Sequence, residues 1–213
     1  MKILLLNGLN SDARIWDNLL PALVKYEVEV VAYPHEVTKQ AHCPSDLSAW
    51  VASAYASDAF DIIIGHSLGG IIALELISKF QFDASKVIII ESNLKPANPF
   101  YRNLLTPKHE KAYGSSICSY LKEQSQYFSE DLMKSVQEDF DYSSYVLNSS
   151  SAVYGIYGDR AQKEYSARIQ DLCLEEDVLN KIQFSFIENA CHLPMIENPE
   201  DLNRVILEIV AEK

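Results

Sequence analysis

The sequence predicts an α/β fold whose sheet is mostly parallel and flanked by helices. Short apolar runs alternate with helix-like stretches along the chain, and several runs, such as residues 87–90, are rich in β-branched side chains. Continuous β-branched runs are typical of strands covered on both faces, and their alternation with helices is typical of parallel sheets. The chain has 213 residues, the size of one ordinary domain. We therefore expect a single domain over residues 1–213.

The predicted elements follow one another in strand and helix order, with one interruption. Strands are predicted at 3–6, 28–33, 60–64, 87–90, 152–157 and 182–187, and helices at 16–26, 45–57, 68–80, 162–174 and 200–211. The region of about 96–151 contains helical patches and scattered aromatic residues but no strong strand. We expect this region to form a helical insertion that lies over the sheet as a lid.

Charge and cysteine usage exclude several classes of partner. The chain carries 18 basic and 30 acidic residues, a formal net charge of −12. This balance disfavours nucleic acid and anionic membrane surfaces, which both require a basic footprint. No apolar run approaches the ~18 residues of a membrane span. The four cysteines lack metal-ligand spacing, so we expect reduced thiols in a cytoplasmic protein.

A nucleophile is predicted at the turn between the third strand and the following helix. Gly65-His66-Ser67-Leu68-Gly69 matches the G-x-S-x-G pattern, with an apolar run before it and an apolar helix pattern after it. This order places a serine on a sharp turn at the end of a sheet, with its hydroxyl exposed. Ser67 is therefore the candidate nucleophile. His66, at the variable position of the motif, is expected to pack or to form local hydrogen bonds.

A serine nucleophile needs a base, and His192 is the candidate. It follows the predicted strand at 182–187 and precedes the last predicted helix, so it lies at the same sheet edge as Ser67. His109 lies in the insertion and is expected to be a solvated surface residue. Cys191, next to the base, is expected to be a small packing residue.

Two carboxylates compete for the role of orienting the base. Asp159 follows the strand at 152–157, and the chain order Ser67, Asp159, His192 is nucleophile, acid, base. We predict Asp159 as the acid. Arg160 offers an alternative partner for Asp159, and Glu91, which directly follows the strand at 87–90, is the alternative acid.

An oxyanion hole is predicted from two backbone N–H groups. Gly8 lets the chain turn after the first strand and exposes the N–H of Leu9. The N–H of Leu68 lies at the start of the helix that follows Ser67, where helix N–H groups have no internal partner. Together these two donors would stabilise a negatively charged tetrahedral intermediate.

These residues give the chain a resemblance to the α/β-hydrolase superfamily over nearly its whole length. The motifs that carry it are Asn7-Gly8-Leu9 with Trp16, Gly65 to Gly70 around Ser67, Asp159, His192-Leu193-Pro194 and Glu197-Asn198-Pro199. The resemblance implies a helical lid at about 96–151 and is nearest to small carboxylesterases and thioesterases. Many members have His-Gly where this chain has Asn7-Gly8, and an Asp and glycine-rich turn where it has Pro34-His35-Glu36. The chain also begins almost directly at the first parallel strand, so we expect a trimmed version of the fold.

The implied activity is hydrolysis of a carboxylic ester or thioester through an acyl-enzyme on Ser67, with no cofactor and no metal. A cofactorless lyase or acyltransferase using the same triad remains open, as does a non-catalytic binding module. The expected partner is a small-molecule or carrier-bound acyl substrate. Arg102, Lys108 and Lys111 could face an anionic substrate or an acidic carrier protein, although a solvated charged face is the simpler interpretation.

Overall fold

One six-stranded sheet forms the centre of the molecule. The computed structural model describes residues 1–96, 98–137 and 139–212. The strands are β1 Lys2–Leu6, β2 Glu27–Val30, β3 Ile62–His66, β4 Lys86–Ile90, β5 Ala152–Gly158 and β6 Ile182–Ile187. Their order is β2-β1-β3-β4-β5-β6, and every neighbouring pair is parallel. The predicted α/β class is confirmed, and all six predicted strands are present.

The helices of the described residues cover both faces of this sheet. They are α1 His35–Gln40, α2 Pro44–Ala54, α3 Leu68–Ser78, α4 Pro107–Ser125, α5 Glu130–Ser135, α6 Ser143–Leu147, α7 Glu176–Leu179, α8 Pro194–Glu197 and α9 Pro199–Ala211. None of these helices has the length and apolar character needed to cross a membrane.

The core has two halves because successive strand side chains point to opposite faces. Leu4 and Leu6 belong to the half that also contains the buried residues of α2 and α3. Ile3 and Leu5 belong to the other half, with the buried residues of α9. Helix α3 is buried along all of its length except Ser78, which explains why its sequence is apolar on every side. Ser67 is thus fixed between a buried strand and a buried helix.

Two predicted helices are absent. Residues 16–26 form two short 3₁₀ turns, Ala13–Trp16 and Leu20–Leu23; Pro21 lacks the N–H that a continuous α-helix would need there. Residues 162–174 form turns that end in the 3₁₀ segment Gln170–Leu172. That segment is largely polar, and Leu172 is its buried apolar side chain, so a helix there would gain little from packing.

The insertion is helical, as predicted. It begins with a 3₁₀ turn at Pro99–Tyr101 and continues through α4, α5 and α6. Helix α4 is interrupted at Tyr113, whose φ of −149° and ψ of 15° are not helical. The insertion leaves β4 and returns to β5, so it crosses the carboxyl edge of the sheet where β3 delivers Ser67.

Candidate active site

Ser67 lies on a strained turn between β3 and α3. Its φ of 53° and ψ of −119° fall outside the regions that non-glycine residues normally occupy. The turn is held from both sides, because the Ser67 N–H donates to the Ile90 carbonyl oxygen at 2.8 Å and the Gly70 N–H donates to the Ser67 carbonyl oxygen at 3.0 Å. The hydroxyl therefore projects from the sheet edge in a fixed position.

The glycines of the motif are required by close approach and not by backbone angles. Neither Gly65 nor Gly69 has a positive φ. A Cβ at Gly65 would lie 2.2 Å from the Gly69 carbonyl oxygen, and a Cβ at Gly69 would lie 2.2 Å from the Leu6 carbonyl oxygen. A side chain at either position would push β1, the turn and α3 apart.

The structure brings His192 to Ser67. His192 Nε2 lies 3.2 Å from Ser67 Oγ, within reach for proton transfer between the two atoms. The His192 side chain is 24% exposed, so it lies at the boundary between the interior and the space above Ser67. This placement matches the one expected from the sequence.

The backbone of His192 is held by two distant segments. Its N–H donates to the Leu104 carbonyl oxygen of the insertion at 3.1 Å. Its carbonyl oxygen lies 2.9 Å from Nε2 of His66. Burial and the nearby His192 lower the pKa of His66 to about 3, so the ring is neutral and carries its proton on Nε2, which faces the carbonyl. The buried His66 therefore holds the loop that contains His192 in place through this hydrogen bond.

Glu91, and not Asp159, lies beside the other nitrogen of His192. Glu91 Oε2 is 3.5 Å from His192 Nδ1, a distance typical of an ion pair and longer than an ordinary hydrogen bond. The Glu91 side chain is fully buried and receives both Nη atoms of Arg160 at 2.6 Å. Burial alone would raise the pKa of Glu91, but the charge and hydrogen bonds of Arg160 outweigh it and lower that pKa to about 2. Glu91 is thus ionised at neutral pH.

Asp159 has a different position from the one predicted. Its Oδ1 accepts hydrogen bonds from the N–H of Ala161 at 2.8 Å and from the N–H of Asn189 at 2.7 Å. The structure gives no ion pair or hydrogen bond between Asp159 and His192 within the part of the chain that it describes. Asp159 Oδ1 is held instead by these two backbone donors. Asp159 joins the turn after β5 to the loop before His192, and Glu91 occupies the place expected for it.

The buried His109 corrects another expectation. It is 8% exposed, and its Nδ1 lies 3.1 Å from Oε1 of Glu197. The Glu197 carboxylate also accepts from the N–H of Thr106 at 2.7 Å and from the N–H of Cys191 at 2.6 Å. His109 is buried because Glu197 ties the start of α4 to the loop before His192. Cys191 is itself buried, and burial raises the pKa of its thiol to about 12, consistent with a packing role.

A cavity of about 680 Å³ opens above Ser67 and His192, and we call it the Ser67 cavity. Leu9 and Leu68, the two residues whose N–H groups are predicted to form the oxyanion hole, both line it. The Leu68 N–H is the first of α3, so it has no carbonyl partner within that helix. The other apolar lining residues are Ile71, Leu104, Leu121, Val136, Phe140 and Leu193. Its apolar lining is mainly aliphatic, and Phe140 is the aromatic residue of the insertion among the lining residues.

The basic residues at the start of the insertion lie in two different places. Arg102 lines the Ser67 cavity, whereas Lys108 and Lys111 are exposed on the first turns of α4.

A family model described as "Alpha/beta hydrolase family" matches residues 3–205 of the sequence. The chain belongs to the alpha/beta hydrolase family. This membership supports a hydrolase. No curated protein matches the sequence significantly.

Solved structures with the same fold are numerous and distant in sequence. The enol-lactonase from Burkholderia xenovorans LB400 is 14% identical with a TM-score of 0.73, and the match covers 99% of this chain and 91% of that one. The carboxylesterase CesB from Bacillus subtilis is 15% identical with a TM-score of 0.66, covering 99% and 83%. Est816, described as an N-acyl homoserine lactone degrading enzyme, is 15% identical with a TM-score of 0.71, covering 98% and 92%. At these identities the likeness shows the fold.

Proposed function

We propose that the protein hydrolyses carboxylic esters or thioesters through an acyl-enzyme on Ser67. The observation that carries the proposal is the 3.2 Å approach of His192 Nε2 to Ser67 Oγ at a strained turn on the floor of a cavity. Among the structural neighbours, an enol-lactonase and a carboxylesterase agree with it.

The proposed reaction proceeds in two halves. His192 removes the proton of Ser67 Oγ as the oxygen attacks the acyl carbon, and it then gives that proton to the leaving alcohol or thiol. In the second half, His192 takes a proton from water, the resulting hydroxide attacks the acyl carbon, and Ser67 leaves with the proton. The N–H groups of Leu9 and Leu68 are assigned to the oxyanion in both halves, where one such donor is worth about 3 kcal/mol of barrier.

We assign the acid to Glu91, in place of Asp159. Its carboxylate lies at ion-pair distance from His192 Nδ1 and is ionised at neutral pH. In this position Glu91 would fix the tautomer of His192 with the proton on Nδ1 and stabilise the imidazolium that forms during attack. Arg160 shares the same carboxylate, so the stabilisation is weaker than that from an unpaired acid.

A fluorophosphonate probe tests the nucleophile directly. We expect the probe to label the native protein and not the Ser67→Ala variant, because the phosphorus is attacked by an activated serine oxygen. Ser92→Ala is the matched control: Ser92 is a buried serine near the same edge, with its hydroxyl donating to the Ile90 carbonyl oxygen. Labelling of Ser67→Ala at the native rate would contradict the proposal.

A substrate panel then tests the reaction class. Acyl p-nitrophenyl esters and acyl thioesters of matched chain length are expected to release free acid at neutral pH with the native protein. Release of acid from neither class, with the probe still labelling Ser67, would favour the lyase or acyltransferase alternative. We also propose a carrier-bound acyl substrate. The test compares the rates at which the native protein and Lys108→Glu hydrolyse a carrier-bound thioester and its free thioester analogue.

A further inference from the structure

A second cavity, of about 320 Å³, lies beside the Ser67 cavity. It is lined by the loop after β1, the chain from β2 into α1, and the end of α4 with the residues that follow it, and we call it the Tyr33 cavity. Its size lies at the lower end of the range for small-molecule sites. The proposed reaction of Ser67 uses none of the side chains that give this cavity its chemistry.

Three of its polar lining residues carry hydrogen-bonding atoms that have no partner. Asn7 Oδ1 and the Tyr33 hydroxyl are both buried without a hydrogen bond. Gln124 is 6% exposed, and its side-chain amide takes part in none of the hydrogen bonds found among residues 1–96, 98–137 and 139–212. Buried polar groups in native proteins are normally paired, so two buried unpaired atoms from separate elements at one cavity, with the unbonded Gln124 amide beside them, indicate a missing ligand.

The partners that these groups need are defined by their own chemistry. Asn7 Nδ2 donates to the Ser11 carbonyl oxygen at 2.7 Å, which leaves Asn7 Oδ1 as the unpaired acceptor of this amide. The hydroxyl of Tyr33 stays protonated because burial raises its pKa, so it is available as a donor. A ligand that satisfies both must carry one N–H or O–H and one acceptor oxygen close together. The side-chain amide of Gln124 likewise offers one donor group and one acceptor oxygen to such a ligand.

The rest of the cavity favours an uncharged, partly apolar group. Tyr127 and Phe128 line it, and the Tyr127 ring is stacked on His35 with centroids 3.7 Å apart. Arg14 also lines it, but Arg14 Nη2 is paired with Asp12 Oδ2 at 2.8 Å. The one guanidinium at this wall therefore has its charge matched by a neighbouring carboxylate.

The two cavities adjoin. Ser11 lines both of them. On α4, Leu121 lines the Ser67 cavity and Gln124 lines the Tyr33 cavity, and residues three apart lie on the same face of a helix. The two cavities are therefore neighbours along α4 and the loop after β1.

We propose that the Tyr33 cavity binds the end of the substrate remote from the scissile bond, and that this end is an uncharged donor–acceptor group, such as a primary carboxamide, on an apolar chain. The proposal rests on the proposed function of Ser67. It adds a specificity site to which Asn7, Tyr33 and Gln124 contribute.

Matched substrates test this proposal. Two series of p-nitrophenyl esters have acyl chains of increasing length. One series ends in a primary carboxamide and the other in an isopropyl group of the same shape. A second pair of ester series has the same two ends on the alcohol side of the ester bond. At one chain length we expect native kcat/KM to favour the carboxamide by about tenfold, the value of one to two neutral hydrogen bonds. Tyr33→Phe and Gln124→Leu should each reduce that preference by about three- to tenfold, through KM.

The controls separate this proposal from the reaction itself. Gln126→Leu changes an exposed glutamine at the C-cap of the same helix and should leave both the preference and the rate of p-nitrophenyl acetate hydrolysis at native values. Equal rates for carboxamide and isopropyl ends at every length, or a preference that survives both cavity variants, would overturn the proposal.

A binding measurement decides the matter without catalysis. Hexanamide should bind the native protein and Ser67→Ala in ligand-observed NMR, and more weakly Tyr33→Phe and Gln124→Leu. Absence of hexanamide binding to the native protein contradicts the cavity proposal, whereas inactivity toward every ester with hexanamide still bound contradicts only the esterase function.

Discussion

Replacement of Glu91 by glutamine and of Asp159 by asparagine should have very different effects. Both changes keep the shape of the side chain and remove its charge. Asp159→Asn preserves an acceptor oxygen for the N–H groups of Ala161 and Asn189, so we expect nearly native activity. Glu91→Gln removes the carboxylate that lies 3.5 Å from His192 Nδ1, so we expect a large loss of kcat.

The size of that loss follows from the geometry. At 3.5 Å and an effective dielectric constant of ~20, a carboxylate stabilises an imidazolium by about 5 kcal/mol, an upper bound for this pair. Arg160, with its two Nη atoms 2.6 Å from the same carboxylate, offsets part of this. We therefore expect kcat to fall by about 10²- to 10³-fold, less than the ~10⁴-fold typical of a triad acid.

The assay must separate catalysis from folding. Glu91→Gln leaves the buried charge of Arg160 without its partner, which costs about 3–5 kcal/mol of stability. The double variant Glu91→Gln with Arg160→Met removes both charges and should recover most of the stability without recovering kcat. Ester hydrolysis is measured with thermal unfolding of each variant.

The reasoning would be refuted by either of two results. Loss of activity in a folded Asp159→Asn protein, with Glu91→Gln active, would return the role of acid to Asp159. Native kcat in the folded double variant would mean that Glu91 does not support His192.

Two further predictions concern the buried turn. His66 has a pKa of about 3 in the folded protein against 6.5 unfolded, so the stability that it contributes is fully present above pH 6.5 and is lost as pH falls toward 3. In urea unfolding, this one group should make the free energy of unfolding rise with pH by up to about 1.4 kcal/mol per pH unit in this window. That contribution should be absent in His66→Asn and retained in His42→Asn, whose side chain is 75% exposed. Equal slopes in the two variants would count against a buried neutral His66. Gly69→Ala places a Cβ 2.2 Å from the last carbonyl oxygen of β1. We therefore expect denaturant unfolding to show a loss of about 3 kcal/mol or more in the free energy of unfolding. A loss under about 1 kcal/mol would contradict the close approach.

The features that the sequence predicts well are local. Strand, turn and helix around Ser67 follow from consecutive residues, because the pattern of glycines, apolar run and apolar helix spans under twenty positions. His192 follows from the rule that loops after parallel strands meet at one sheet edge. The same rule cannot choose between Glu91 and Asp159, since both follow strands at that edge.

The choice between the carboxylates depends on contacts between distant residues. Glu91 has a φ of 52° and pairs with Arg160, 69 positions away. The burial of His109 depends in the same way on Glu197, 88 positions away. Periodicity and neighbouring residues carry no signal for such pairs, although Asp159 and Arg160 next to each other after a strand, with Glu91 after the neighbouring strand, indicate that some pairing must occur.

The double attachment of His192 limits how the insertion can move or change. The His192 N–H donates a hydrogen bond to the Leu104 carbonyl oxygen, and the Glu197 carboxylate accepts from both Thr106 and Cys191. The first part of the insertion is therefore attached to the base. A motion that lifted this end would withdraw the base from Ser67. A chimera that borrows another protein's lid should therefore join after Thr106, because a junction before Leu104 would exchange the support of the base together with the lid.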